Sequence, residues 1–403
     1  MTGKRWLSIV GVGEDGLDGL SPAARAIVAQ AALVVGGERH LALLRPISAA
    51  TLAWPRPIED ALDVIEARRG EPVCVLASGD PFFFGVGSML VRRFATDEIA
   101  CLPAPSAFAL AAGRLGWSEQ DCALLSLCGR PIEAIIPELQ PNARVLALSW
   151  DGSTPIKLAA LLNALGMGRS NLTVCEAIGG PSERIRSARA DRFGLDDVAA
   201  LNTIALEVAA DEGARVLPRS SGLADDWFEH DGQITKRDVR AITLAALAPR
   251  RGERLWDVGA GSGSVAIEWM LADPANRAVA IEARADRALR IARNAASFGV
   301  PALEIVTGAA PAALAGLPAP DAVFIGGGAS APGVIERAHD ALLRGGRLVV
   351  NAVTLETQAA LIDWRARSGG EVVSISLAHA EPIGRFTGWR PAAPVVQWRW
   401  RKP

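Results

Sequence analysis

Tyrosine is absent from this 403-residue sequence, and lysine occurs four times against 38 arginines. Codon bias accounts for such a skew. A second reading is that some Arg side chains hold carboxylates, because the planar guanidinium fork matches them. No run of about 18 uncharged apolar residues occurs, which argues against a transmembrane helix. The opening MTGKRWLSIVGVGEDG is too short and too broken by glycine for a signal peptide. It reads as a first strand, and a cytoplasmic location is expected. The five cysteines (Cys74, Cys101, Cys122, Cys128, Cys175) are odd in number and form no C-x-x-C, so reduced thiols are expected. His40, His230, His339 and His379 are scattered, and no metal site is expected. A net charge of -2 gives no general attraction for nucleic acid or an anionic membrane.

Half of the residues are apolar and mean hydropathy is +0.22, which describes buried cores rather than disorder. The length predicts two or three domains. In the first half, WLSIVGVG, PVCVLASG, RVLALSW, NLTVCEAIGG and TIALEV read as strands. SPAARAIVAQAA, GSMLVRRFA, SAFALAAGRLG and TPIKLAALLNALG read as helices. This is an α/β pattern. Residues 211–231 are polar, weakly periodic and rich in Gly, Pro and Ser; they are expected to link a domain at 1–210 to one at 232–403. In the second half, RLWDVGAG, AVAIEA, LEIVTG, DAVFIGGG and GRLVVNAV alternate with helical segments, which suits a doubly wound sheet.

The block LWDVGAGSGSVAIEW places Asp257 at a strand end, then Gly259-Ala260-Gly261-Ser262-Gly263, then a helix. Glycines let backbone bend tightly and lie close to a ligand. Glu282 follows Gly263 by 19 residues, where a carboxylate can hold two ribose hydroxyls. A dinucleotide site needs G-x-G-x-x-G against a pyrophosphate. Here the spacing is G-x-G-x-G, which suits S-adenosylmethionine, a donor without phosphate. Asp257 is placed to meet its ammonium group.

The ordered blocks GQITKRDVR, DVGAGSGSVAIE, IEARADRALRIARNAASFG, VTGAAPAAL, DAVFIGGG and LLRGGRLVVNAVTLET resemble the decarboxylating precorrin methyltransferase domain of cobalamin biosynthesis. The resemblance covers roughly residues 232–403 and implies a class I, Rossmann-like methyltransferase fold. It implies that Thr235 and residues 259–263 surround S-adenosylmethionine. It also implies that Glu282 takes the ribose and that the Gly308-Ala309-Ala310 turn meets the adenine. Relatives commonly carry an acid where Ala309 stands, so the turn is left with backbone groups for that contact.

In the first half, VGVGEDG follows an apolar strand, and its Gly11 and Gly13 suit either a plain turn or a ligand loop. LASGDPFFFGVG carries Ser78-Gly79-Asp80-Pro81 and then what reads as an aromatic helix start. Pro81 suits a first helical turn, and Asp80 caps the helix or accepts a bond from a ligand. In LPAPSAFALAAGRLGWS, Ser106 caps an Ala-rich helix. These blocks, followed by SLCGRP, ALSWDGSTPIKLAALLNALGMG, EAIGGPSERIR and LNTIALEV, resemble the class III, tetrapyrrole-type methyltransferases. That implies a two-lobed fold with S-adenosylmethionine in the cleft. Relatives often have His where Cys128 stands, and a packing or backbone role is expected for this thiol.

Taken together, the chain resembles the bifunctional, decarboxylating precorrin-6Y methyltransferase family. The resemblance implies methylation at carbons 5 and 15 of a polycarboxylate tetrapyrrole, decarboxylation of its ring C acetate, one S-adenosylmethionine per domain, no metal, and a homo-oligomer. Candidate substrate contacts are Arg130, Arg184, Arg186 and Asn351, with Lys236, Arg237 and Arg385 behind them. An RNA or protein methyltransferase on the same scaffolds is the alternative. It requires a basic stripe, and the net charge argues against one.

Overall fold

The structure, a computed structural model, describes residues 5–403. The first four residues of the stretch read as the opening strand lie outside the described residues. The chain divides into two compact units, one ending at Val216 and one running from Leu217 to Pro403 together with Glu133–Pro137.

The first unit holds two five-stranded sheets. The first contains β1 (Leu7–Val12), β2 (Leu33–Gly36), β3 (Ala50–Ala53), β4 (Val73–Ser78) and β5 (Ile99–Leu102) in the order β3-β2-β4-β1-β5. All its pairings are parallel. Strands covered on both faces read as unbroken apolar runs, as VCVLAS does. The two-residue period then sends neighbours to opposite cores. Ile9, Val35 and Val75 pack with Trp6 and Phe94, whereas Val10, Val34 and Leu76 pack with Leu20, Val28 and Leu44.

The second sheet contains β6 (Cys122–Ser126), β7 (Arg144–Leu148), β8 (Asn171–Glu176), β9 (Arg184–Arg189) and β10 (Asn202–Glu207) in the order β6-β7-β10-β8-β9. Only β6 and β7 pair in parallel; the other pairings are antiparallel. The helix Ala107–Leu115 lays Phe108, Ala111 and Ala112 against Leu146, Cys175 and Ala205. Ser106 caps this helix by accepting from the Ala109 N–H at 3.1 Å.

The second unit is a seven-stranded sheet. Its strands are β11 (Arg254–Val258), β12 (Arg277–Glu282), β13 (Glu304–Thr307), β14 (Ala322–Ile325), β15 (Arg347–Ala352), β16 (Glu371–Ile375) and β19 (Val395–Arg401). A separate hairpin pairs β17 (Ala378–Ile383) with β18 (Phe386–Pro391). The sheet order is β13-β12-β11-β14-β15-β19-β16, with β19 inserted antiparallel between β15 and β16. The strand order reverses between β11 and β14, so the loops after these strands open a crevice at their carboxyl ends.

Residues 217–231, in the stretch read as a linker, are packed onto the second unit. Leu223 and Phe228 are buried. Gly222 and Leu223 donate their N–H groups to the Glu268 carboxylate at 2.7 and 2.9 Å. Side-chain partners rather than helix or strand ladders hold this segment, so its sequence shows no periodicity. A second difference concerns the aromatic run after Pro81. Asp80 accepts from the Phe82 N–H at 2.8 Å, but the chain then turns, Phe84 adopts φ +56°, and the helix begins only at Gly87.

Candidate active sites

In the second unit the crevice is a cavity of about 780 Å³. The glycine loop after β11 forms one wall. Gly259, Gly261 and Gly263 all have positive φ, which L side chains rarely adopt. A Cβ on Gly259 would sit 2.9 Å from Gly327 Cα, and one on Gly261 would sit 2.8 Å from Gln233 O. The loop is therefore wedged between the turn after β14 and the segment before the helix Arg237–Leu247. Gly259, Ala260, Gly261, Thr235, Glu282, Gly308, Ala309, Ala310 and Asn351 all line the cavity. Ser262 and Gly263 lie behind it: Ser262 is fully buried, and a Cβ on Gly263 would meet Ile291.

Glu282, at the end of β12, is almost fully buried and accepts from two backbone N–H groups, Gly261 at 2.9 Å and Arg284 at 3.1 Å. Those bonds fix its carboxylate at the cavity edge. Asp257 is not in the wall. Its Oδ2 accepts from the Ala266 N–H at 3.0 Å, and its buried Oδ1 has no partner among the described residues. Burial pushes its carboxyl up to about 7, and the charge of Glu282 adds to the rise. A cationic group over the loop would relieve that cost. The positive-φ cradle and the orphaned oxygen both fit a ligand with an ammonium and a ribose.

The segment carrying Gln233 and Thr235 is anchored by Arg240, which is fully buried. Arg240 pairs with Glu268 at 2.6 Å and Asp225 at 3.0 Å, and donates to the carbonyls of Thr235 and Leu223. Its guanidinium also lies 4.8 Å from the centre of the Phe228 ring. Nothing in the local periodicity marks Arg240, because an Arg on an amphipathic helix ordinarily faces water. Gln233, His379, Ile375, Leu377 and Val395 also line the cavity and were not singled out from sequence; they come from the stretch before the helix and from the irregular C-terminal strands.

Asn351 is locked in place: its Nδ2 donates to Thr243 at 3.0 Å and its Oδ1 accepts from Gln397 at 2.9 Å. Lys236 lines the cavity, with Asp225 3.9 Å from its ammonium. Arg237 turns away to donate to the Gly222 carbonyl at 3.1 Å. Arg385 lies on the β17–β18 hairpin over Phe386.

In the first unit three loops knit together. Gly79 donates its N–H to Val12 O at 3.1 Å, and Ala104 donates to Gly79 O at 3.1 Å. A Cβ on Gly11 would lie 2.1 Å from Gly79 O, and one on Gly79 would lie 3.0 Å from Ser106 Cα. Beside them is a cavity of about 680 Å³ lined by Asp80, Phe83, Pro103–Ser106, Ala109, Glu119, Gln120 and Leu124. Asp80 and Ser106 are thus in its wall, Gly11 and Gly79 pack against the lining segment Pro103–Ser106 from behind, and Pro81 is buried outside the lining. Ser78 accepts from Arg39 at 3.0 Å and is 2.9 Å from His40 Nε2. Gly13 packs over Asp15. Arg184 and Arg186 turn instead to Glu176, at 2.6 and 3.1 Å. That carboxylate is buried, so both guanidinia are held on β8 and β9. Arg130 stays exposed, 5.9 Å from the centre of the Phe84 ring.

Tetrapyrrole (corrin/porphyrin) methylases match residues 7–193, and a precorrin methyltransferase domain matches residues 226–402. A Sinorhizobium protein named precorrin-6Y C(5,15)-methyltransferase [decarboxylating] is 57% identical over 98% of this chain and 96% of its own length. The chain belongs to this family. A Mycobacterium tuberculosis member is 43% identical over 97% of this chain and 98% of its own length. The crystal structure of the C-terminal domain of precorrin-6Y C5,15-methyltransferase from Rhodobacter capsulatus is 50% identical, with a TM-score of 0.44; the match covers 46% of this chain and all of that one. The expected fold holds: a tetrapyrrole methylase domain of the class III type comes first, and a class I, Rossmann-like domain follows.

Two departures expected within this family take physical form. Cys128 donates its thiol to Ser149 O at 3.1 Å, a backbone role. Ala309 presents no side-chain acceptor to the cavity that it lines. No group of three or more His, Cys, Asp and Glu is placed to hold a metal among the described residues. No helix among them is long and apolar enough to cross a membrane.

Proposed function

We propose that the chain transfers methyl groups from S-adenosylmethionine to carbons 5 and 15 of precorrin-6Y and decarboxylates the ring C acetate, giving precorrin-8 in cobalamin biosynthesis. The first unit methylates carbon 5. The second methylates carbon 15 and decarboxylates. Each unit binds its own S-adenosylmethionine. The observation that carries this division is the pair of separate glycine cradles, each with its own cavity.

S-adenosylmethionine supplies a sulfonium methyl that is already activated. The chain's share is alignment, and proximity alone supplies roughly 7–11 kcal/mol in well-oriented reactions. In the second unit Glu282 and the turn at Gly308–Ala310 fix the nucleoside end, and Gly259–Gly261 bring backbone close to the methionine end. The reduced macrocycle has electron-rich meso carbons, so no activated Ser or Cys is required. In decarboxylation the bond between the acetate methylene and its carboxyl carbon breaks. The electron pair passes into the conjugated macrocycle, and a proton replaces the departing carbon dioxide. Ile375, Leu377 and Val395 give the cavity an apolar side on which a carboxylate loses its hydration.

The chain acts on this substrate in the cytoplasm as a homo-oligomer, without a resident metal. Mass spectrometry of the product from purified chain, S-adenosylmethionine and precorrin-6Y tests the activity: two methyl groups gained and one carbon dioxide lost. Asp80→Ala is expected to stop only the first-unit methylation, and Gly261→Arg only the second-unit steps. If either variant, still folded, stops both, separate sites are refuted. Tight, salt-sensitive RNA binding would favour the RNA methyltransferase alternative.

A further inference from the structure

The first unit exposes aromatic rings where a folded chain ordinarily hides them. Phe82, Phe83 and Phe84 are 44%, 36% and 44% exposed, and Trp150 is 62% exposed. Elsewhere Phe94, Phe108, Phe298 and Phe324 are fully buried. The Phe run is held rigidly. Phe82 and Phe83 donate their N–H groups to Asp80, and Gly87 donates to Pro81 O at 2.8 Å. A Cβ on Gly85 would lie 2.5 Å from Pro81 O, so the turn is wound too tightly for any other residue there. Phe84 is kept at φ +56°, a conformation that persists only where surrounding structure enforces it. Exposure and backbone strain both act against stability, and they coincide on one residue.

Phe83 and Phe84 form one surface. Their ring centroids are 5.1 Å apart, and both rest on buried Phe108, at 5.1 and 6.0 Å. The exposed Arg130 guanidinium lies over Phe84, and among the described residues no carboxylate pairs with it, unlike Arg184 and Arg186. Gly129, at φ +67°, leaves room for Trp150: a Cβ there would be 3.0 Å from the indole. Phe83 also lines the cavity that contains Asp80 and Ser106, so this surface runs directly into the donor site.

We propose that Phe82–Phe84, Trp150 and Arg130 form a stacking ledge for one face of a tetrapyrrole, with Arg130 holding one of its peripheral carboxylates. This rests on the methyltransferase function proposed for the first unit. The chemistry matches: a wide conjugated ring presents a face to the phenyl rings, and a guanidinium fork takes a carboxylate by two parallel bonds. Phe84 is therefore a positioning residue, fixed by the same loop that places Asp80 at the donor cavity.

The test uses the full chain with precorrin-6Y and S-adenosylmethionine, read by initial rates of carbon-5 methylation. Phe84→Leu keeps an apolar side chain and the same backbone demand but removes the ring face. Its KM for the macrocycle is expected to rise about ten-fold, the equivalent of roughly 1.4 kcal/mol, with a smaller change in kcat. Arg130→Met is expected to raise KM by a similar factor, with partial rescue by Arg130→Lys, which restores charge but not the fork. Calorimetric affinity for S-adenosylmethionine is expected to stay within two-fold in all three, a result that a collapsed loop would not give. An unchanged KM in Phe84→Leu and Arg130→Met, with wild-type carbon-5 methylation intact, overturns the ledge and leaves the function standing. A wild-type chain that does not methylate carbon 5 overturns both.

Discussion

Gly261→Ala isolates the demand that the second-unit cradle makes on its backbone. The residue has φ +60°, and the left-handed region costs an L-residue about 1–2 kcal/mol. Its new Cβ would also lie 2.8 Å from Gln233 O, a backbone atom that no rotamer change removes. The Gln233–Thr235 wall must therefore shift. Gly316→Ala is the control: φ is +76°, yet no heavy atom lies within 4 Å of the added Cβ. It should incur the backbone cost alone and leave donor binding unchanged. Gly261→Ala should incur at least the same loss of stability and weaken S-adenosylmethionine at the second site by roughly 5–30-fold, if about 1–2 kcal/mol of strain falls on the bound state. Differential scanning calorimetry reads the stability and isothermal titration of the full chain reads the affinity. Equal donor affinity in the two variants would refute the view that the cradle and the Gln233 segment form one tightly fitted wall.

Three further outcomes follow from the buried charges. Asp257 has its carboxyl raised to about 7, above the ordinary value, so the folded chain keeps a proton that the unfolded chain releases. Its contribution is complete below about pH 4 and is lost as pH rises through about 7, on the order of 2–3 kcal/mol between about pH 5 and 8. Thermal scans of the ligand-free chain should show a steeper decline over that range than Asp257→Asn does; parallel slopes would contradict the assignment. Arg240→Met leaves the buried Glu268 without its partner and the Leu223 and Thr235 carbonyls without a donor, so a loss of about 3–5 kcal/mol in denaturant unfolding is expected, together with weaker donor binding at the second site. Arg184→Met should lower stability less than Arg240→Met does, because the guanidinium is partly exposed and Arg186 still pairs with Glu176, and leave KM for the macrocycle within two-fold. A large KM effect would return Arg184 to the substrate site.

What the sequence disclosed tracks how local each signal was. The VCVLAS and RLWDV strands are buried on both faces and read directly as apolar runs. The cradle was legible because glycine marks tightly bent backbone, and Gly259, Gly261 and Gly263 all adopt positive φ. The Arg-rich edge strand β9, whose partner β8 lies just before it, passed unmarked, as did the C-terminal strand β19, with its VVQWRWR pattern, which is defined by pairing with β15 far back in the chain. The segment Leu217–Asp231 failed for the same reason: Glu268 and Asn294, which accept its N–H groups, lie 45 to 65 residues away. Asp257 was read as meeting the ligand, yet its carboxylate is turned beneath the loop by the Ala266 N–H. The first-turn N–H groups of a helix need an acceptor, and the nearest one was the acid that opened the loop.

The surplus of arginine finds a structural use that composition alone did not show. Arg240 holds Glu268, Arg347 holds Glu253 at 2.5 Å, and Arg184 and Arg186 share Glu176. In each case the carboxylate is more buried than an isolated charge tolerates, and the fork lets one guanidinium reach several acceptors at once. An Arg already held by such a carboxylate has little left for a substrate, since breaking the pair would strand a buried charge. Arg130 differs: its neighbour is an exposed ring rather than an acid, so under the proposed ledge a substrate carboxylate would meet no competitor there. Pairing state, rather than position in a motif, is the observation behind proposing Arg130, and not Arg184 or Arg186, as the arginine that meets a substrate carboxylate at the aromatic ledge.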